Sequence, residues 1–179
     1  MGSVFGRIDV ECPAHTVLKT APWGEVRSYP ELMSIETNDA SNQAFGKLAG
    51  FIGVTGPPKN DAAMPVAMTA PVVSEMPAGG DKVMSFVLPS SVSAPPSPTD
   101  PAVRVVRRPP MKVAVQRYSG GWDEEEARHR ATVLASAALS DGHKLVGSPP
   151  DSGWTWFRYN PPWTLPFLRT NEVAVELAD

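Results

Sequence analysis

The chain has 179 residues, of which 42% are hydrophobic and 20% charged, with a formal net charge of −3. That balance describes a folded domain with a sizeable core, and the acidic sign excludes the basic face that nucleic-acid binding requires. A lone cysteine, Cys12, excludes an intrachain disulfide, and no apolar run approaches the ~18 residues of a membrane span.

The opening MGSVFGRIDVECP lacks the basic start and apolar stretch of a secretory signal. MGSVFG carries Gly6 where a myristoylation signal has Ser or Thr. No lipid anchor and a cytoplasmic location are therefore expected. TVLKT (16–20) and EVRSYP (25–30) are predicted strands around a Trp-Gly turn, and LMSIET (32–37) is a third. NDASNQAFGKLAGFIG (38–53) predicts a helix capped at Asn38 or Asp39. Phe45, Leu48, Ala49 and Ile52 form its core face, and Ala40, Ala44 and Phe51 widen that arc. The apolar arc then covers about 180°, against the ~100° stripe of a surface helix. Asn42, Gln43, Gly46, Lys47 and Gly50 fill the polar remainder. One flank of this helix faces something apolar besides the core, or lies under the long loops.

MPVAMTAPVV (64–73) combines Met64 and Met68 with Pro65 and Pro71. Proline is confined to sheet edges, strand starts and bulges, and methionine fits irregular apolar shapes. The stretch reads as an edge-like strand over 66–76 forming the wall of a cleft, joined to KVMSFVL (82–88) through the turn PAGGD. The proline-rich PSSVSAPPSPTDP (89–101) is a solvated excursion. VRVVR (103–107) and KVAVQRYS (112–119) are strands, DEEEARHRATVLASAALSDG (123–142) is a helix, and WTWFRYN (154–160) and EVAVEL (172–177) are strands. In the second helix Asp123 and Glu126 fit a capping box, and Ala127, Ala131, Leu134 and Ala138 share one face. Each half of the chain runs strands, helix, strands. The fold class is α+β: a pseudo-twofold repeat forming a twisted, mostly antiparallel, barrel-like sheet flanked by two helices.

No HExxH, GxSxG, CxxC, P-loop or GxGxxG motif is present, and His15, His129 and His143 have no metal-ligand spacing, so no catalytic metal is expected. Cys12-Pro13 followed by His15 could in principle offer an axial ligand to haem iron, but the dipeptide is too short to be specific, and a near-terminal strand or loop is the better reading.

Several segments resemble the SOUL/haem-binding protein family, most closely its plant and algal cytosolic branch. They are MGSVFGRIDVECP, FIGVTGPP (51–58), VAMTAPVV (66–73), SFVLPS (85–90), PTDPAVRV (98–105) and RYNPPWTLPFLRTNEVAVEL (158–177), which span nearly the whole chain in order. The resemblance implies one domain over 1–179 that binds haem or another tetrapyrrole reversibly in a shallow hydrophobic groove beside the first helix. A porphyrin is a flat apolar disc with two carboxylates on one edge, so it needs a greasy slot with a cation at the mouth. Ala44, Leu48 and Phe51, with Met64 and Met68, are candidates for the slot. Trp163, Leu165 and Phe167 in PPWTLPFLR (161–169) can close it, and Lys47 or Arg169 can meet a propionate. The strand-to-helix region leading into the first helix contains no histidine, so binding is expected without protein ligation, or with weak ligation from an unplaced donor. The expected role is a monomeric carrier or buffer that passes tetrapyrrole to a haem-accepting protein. The alternatives are an enzyme acting on a tetrapyrrole or small hydrophobe, with Glu75, Tyr118 or Tyr159 as acid or base, and an interaction module using the same groove.

Overall fold

Side chains alternate across a strand, so WTWFR and NEVAVELA each present two chemically different faces. In a computed structural model describing residues 6–39, 41, 43–77 and 79–178, that alternation organises one curled sheet. Its strands are β1 (Thr16–Ala21), β2 (Gly24–Tyr29), β3 (Leu32–Thr37), β4 (Val72–Met76), β5 (Val83–Val87), β6 (Arg104–Arg108), β7 (Met111–Tyr118), β8 (Lys144–Leu145), β9 (Trp154–Arg158) and β10 (Asn171–Ala178). The helices are α1 (Ala44–Ile52) and α2 (Glu124–Ser140), and a single 3-10 turn occupies Pro166–Leu168.

The strand order is β1-β2-β7-β10-β9-β4-β5-β3-β6, with β8 added against β10, and every ladder is antiparallel. The order is a palindrome of roles about the β9–β4 seam. The unit β3-α1-β4-β5 lays its strands as β4-β5-β3, and the unit β7-α2-β9-β10 lays its own as β9-β10-β7. The strand preceding each unit pairs with the other one: β2 with β7, and β6 with β3. This exchange makes the pseudo-twofold repeat one continuous sheet.

Both helices pack on one face. Under α2, Ala127, Ala131, Leu134 and Ala138 meet Trp154, Trp156, Val173 and Val175. Alanines let the helix lie close to the tryptophans. Asp123 caps α2 by accepting from the Glu125 and Glu126 backbone N–H groups. Under α1, Leu48, Phe51 and Ile52 meet Ile35 and Phe86. Gly53 ends α1 at φ 88°, and a Cβ there would stand 2.8 Å from Pro58 Cγ.

The strand β8 has no counterpart in the sequence reading, and two further elements differ from it. The first helix begins at Ala44, with Gln43 as its cap, instead of at 38 or 39. Asp39 N–H donates to Thr37 Oγ1, Ser41 N–H to Asp39 Oδ1 and Gln43 N–H to Ser41 Oγ, so side chains hold these backbone groups in turns before the helix starts. Phe45 stands outward, 44% exposed and edge-on to Phe86, while Phe51 goes into the core. Ala40 and Asn42 lie outside the described residues, as do residues 1–5 of the N-terminal reading. The second difference is the methionine stretch. Only Val72–Met76 is strand, and it pairs with β9 and β5, so it is interior and not an edge. Met64 and Met68 lie in the irregular approach to it. There Asn60 Nδ2 donates to Phe51 O and Met64 O, and Thr69 Oγ1 donates to Val87 O. These bonds replace the ladder that Pro65 and Pro71 cannot enter.

Phe51 is 1% exposed among close neighbours. Phe51→Ala is expected to lower unfolding free energy by about 3–5 kcal/mol, read from urea melts at constant slope.

Candidate functional site

The face opposite the helices is defined by register. Glu172 opposes Phe157, Phe157 opposes Val73, Val73 opposes Ser85 and Ser85 opposes Glu36. The neighbouring row on the same face runs Ala174, Thr155, Glu75. Curling of the sheet brings these rows round a cavity of about 420 Å³. Its floor is apolar: Val73, Val113 and Phe157 line it and pack with Val115 behind, flanked by Tyr29, Leu32 and Tyr159.

Charges stand on this apolar floor. Arg27 forks onto Glu172, Nη1 to Oε2 and Nη2 to Oε1, both at 2.9 Å. Arg27 Nε donates to Glu25 at 2.8 Å, and Tyr159 Oη donates to Glu172 Oε2 at 2.7 Å. Burial by itself lowers the Arg27 pKa, but the bonds to Glu172 and Tyr29 outweigh it, and the guanidinium titrates above its ordinary value. Burial and then the Glu172 carboxylate hold Tyr159 protonated well above the usual phenol range. On the other side Arg108 binds Glu36, and its Nη1 reaches Glu75 Oε1 at 2.7 Å. Burial pushes the Glu75 carboxyl up against the opposing pull of Arg108.

The N-terminal segment crosses the mouth of this cavity. Glu11 bridges to Thr69 in parallel, Ala70 N–H donates to Glu11 O, and Ser90 N–H donates to Glu11 Oε1. Pinned there, the segment places Ile8, Cys12, Pro13 and His15 on the cavity rim. The His15 ring lies 5.2 Å from that of Tyr29. Cys12 and His15 therefore border the concave side, away from α1. Among the described residues no group of three or more His, Cys, Asp or Glu is placed to hold a metal ion.

The ten residues that the resemblance pointed to fall into two places. Leu48 and Phe51 are fully buried in the α1 core, with Met64 and Met68 half-buried against it, and Ala44 is buried on the same helix. Lys47 is bound to Asp39 at 2.7 Å. Trp163, Leu165, Phe167 and Arg169 share the connection from β9 to β10, where Trp163 is 65% and Phe167 71% exposed. Neither the concave cavity nor a second space of about 400 Å³ beneath the 89–93 loop is lined by any of the ten.

The β9–β10 connection is held open by polar bonds. Arg169 donates from Nε to Thr164 O at 2.8 Å and from Nη2 to Pro162 O at 2.6 Å. Asn160 Oδ1 accepts from Thr170 N–H at the base of the loop, and Asn160 Nδ2 donates to Gly6 O. Trp122, just before α2, lies 5.2 Å from the Arg169 guanidinium and 5.4 Å from that of Arg158. Arg158 Nη2 donates to Ser74 Oγ, its Nε has no hydrogen-bond partner among the described residues, and burial pulls its pKa down. Two guanidiniums thus flank Trp122 beside an exposed apolar tip.

Sequence reasoning named Glu75 and Tyr159, which both reach the cavity, and Tyr118, which instead lies under α2. It missed Arg27, Arg108, Glu172 and Trp122. The inward charges on β10 were readable in principle, because Glu172 and Glu176 alternate with Val173, Val175 and Leu177.

A single sheet curled about a pseudo-twofold seam, with both helices on its outer face and a lined concavity, defines the class of protein. A model of the SOUL heme-binding protein family matches residues 10–176, and the chain belongs to that family. The fold is also similar to that of the EcmrR C-terminal domain, at 13% identity and a TM-score of 0.57, with 86% of this chain and 96% of that one covered. A hydrolase from Listeria innocua gives 13% identity and a TM-score of 0.57 over 88% of this chain and 94% of its own. An uncharacterized conserved protein from the same organism gives 13% and 0.58 over 86% and 92%. At such identities these likenesses concern the fold alone. No curated protein matches the chain.

Two outcomes check this electrostatic picture. Arg27→Ala leaves Glu172 buried beside Tyr159 only, and is expected to cost about 3–5 kcal/mol in a chemical-denaturation curve. Asp39 is held down to about 2 by its bonds to Lys47 and Ser41, below its ordinary 3.8. A depressed carboxyl contributes stability above its unfolded value and loses it as pH falls through the folded one. The Asp39–Lys47 contribution should therefore be intact above about pH 4 and vanish toward pH 2. In Lys47→Met the NMR-titrated Asp39 pKa should move back toward 3.8.

Proposed function

We propose that the chain binds haem or a related tetrapyrrole reversibly and acts as a carrier or buffer, with the β9–β10 connection as the contact surface. The observation that carries this reading is the exposed apolar tip formed by Trp163, Leu165 and Phe167 on a loop braced by Arg169. A cluster of large apolar side chains held out in water by hydrogen bonds marks a surface made to be covered. Covering about 200 Å² of it contributes about 5 kcal/mol before the cost of association.

Membership of a haem-binding family supports the ligand class. The charges support the orientation. Among the described residues, side-chain hydrogen bonds from Arg169 to Thr164 and Pro162 use two of its five N–H donors, so it can still meet a propionate. Lys47 already has a carboxylate partner and is the weaker candidate. In this reading Leu48 and Phe51, with Met64 and Met68 against them, belong to the core under α1, where Ala44 is also buried, and none of the five touches the ring. Affinity from apolar contact leaves iron unimportant, so the ring should leave for a haem-accepting protein that ligates the metal.

Haem and metal-free protoporphyrin titrated into the protein should both saturate, at micromolar dissociation constants or tighter, by absorbance and by tryptophan quenching. Trp163→Ala with Phe167→Ala should weaken both at least about tenfold while leaving the melting curve in place, because both side chains are mostly exposed. Bound haem should pass to apomyoglobin added in excess. Failure of either ring to bind, or a double variant binding as the parent does, overturns the reading.

A further inference from the structure

The concave cavity is lined by none of Trp163, Leu165, Phe167 and Arg169. We propose that it binds a small amphipathic amine: a protonated ammonium group carried on an aromatic or aliphatic body.

The walls give the body a place. Val73, Val113 and Phe157 form an apolar floor, and Tyr29 and Tyr159 stand beside it. A volume of about 420 Å³ is in the range of small-molecule sites. Aromatic faces next to carboxylates suit a cation with an apolar body.

The choice of charge follows from which groups are already committed. Four carboxylates line the cavity, Glu25, Glu75, Glu172 and Glu176, against three guanidiniums, Arg27, Arg108 and Arg117. Arg27 is taken by Glu172 and Glu25, and Arg108 by Glu36 and Glu75. Arg117 lies exposed at the rim and donates to Thr170 Oγ1. An incoming anion therefore meets no uncommitted cation in the interior. Acceptors do remain. Glu75 meets Arg108 at Oε1 and Glu25 meets Arg27 at Oε2, and among the described residues no hydrogen bond reaches the other oxygen of either carboxylate. No hydrogen bond or ion pair engages the Glu176 carboxylate among the described residues, and Glu176 is near enough to Glu75 to raise its pKa. An ammonium placed between Glu75 and Glu176 satisfies both and relieves their mutual repulsion. The same charges disfavour a dianionic tetrapyrrole here.

Tryptamine and indole-3-acetate carry one aromatic body with opposite charge, and form the test. Isothermal titration of the whole protein should show saturable binding of tryptamine and at least about tenfold weaker binding of indole-3-acetate. Cys12 sits at the cavity mouth as the only cysteine, so tryptamine should also slow its alkylation by neutral iodoacetamide. Glu75→Gln should weaken tryptamine about tenfold. Glu176→Gln, at an exposed position that should not disturb folding, should weaken it at least about threefold. Haem affinity should be the same with and without tryptamine, so failure here leaves the tetrapyrrole reading intact, and failure there leaves this one. Equal binding of the two indoles, no binding of either, or full tryptamine affinity in Glu176→Gln overturns the proposal.

Discussion

The antiparallel seam between β9 and β4 is the constraint on which the rest of the molecule depends. Val72 faces Arg158 there, and Val73 faces Phe157. Because side chains alternate strictly, a slip of one residue at this seam would exchange the two faces of half the sheet. Trp154 and Trp156 would leave the alanine face of α2 and enter the cavity, and Thr155 and Phe157 would go under the helix. The large aromatic residues therefore lock the register, and the register in turn sets which charges point inward. The pseudo-twofold arrangement follows from the same seam, since each unit donates its preceding strand to the other.

Buried charges on the concave face are tolerated because each has a geometric partner. Glu172 receives two guanidinium bonds and one phenol, which fills most of its acceptor capacity. Replacing such a network by apolar residues is often neutral or stabilising, so its presence is weak evidence for a role in stability alone. What it does here is consume the interior cations and leave acceptors unfilled on Glu75 and Glu176. The cavity is thus polarised by the way its ion pairs are shared out.

The two surfaces of interest differ in kind. The β9–β10 connection is apolar, exposed and bordered by Arg158 and Arg169 around Trp122. The concavity is recessed but open at its rim, mixed in character and richer in carboxylate. They lie at different parts of the sheet and draw on different residues, so one fold presents two unlike chemistries. Among the described residues no helix is long and apolar enough to cross a membrane.

The sequence by itself determined the elements, because alternation and helical spacing are local properties. LMSIET was legible to the residue, the alanine face of α2 and its Asp123 cap were readable, and so was the doubled strands-helix-strands order. The apolar connection with Arg169 was also marked, since proline and tryptophan together are unusual in a solvated loop. Tertiary structure decided the rest. Whether Phe51 or Phe45 turned inward depended on which face of α1 was laid on Ile35 and Phe86. Whether the methionine strand was an edge depended on β9, whose sequence lies some eighty residues away, arriving beside it. The cavity was illegible for the same reason: Arg27 and Glu172 are 145 residues apart, and only the curled register brings them together. Local pattern fixes which face a residue can occupy. Long-range strand pairing decides what that face meets.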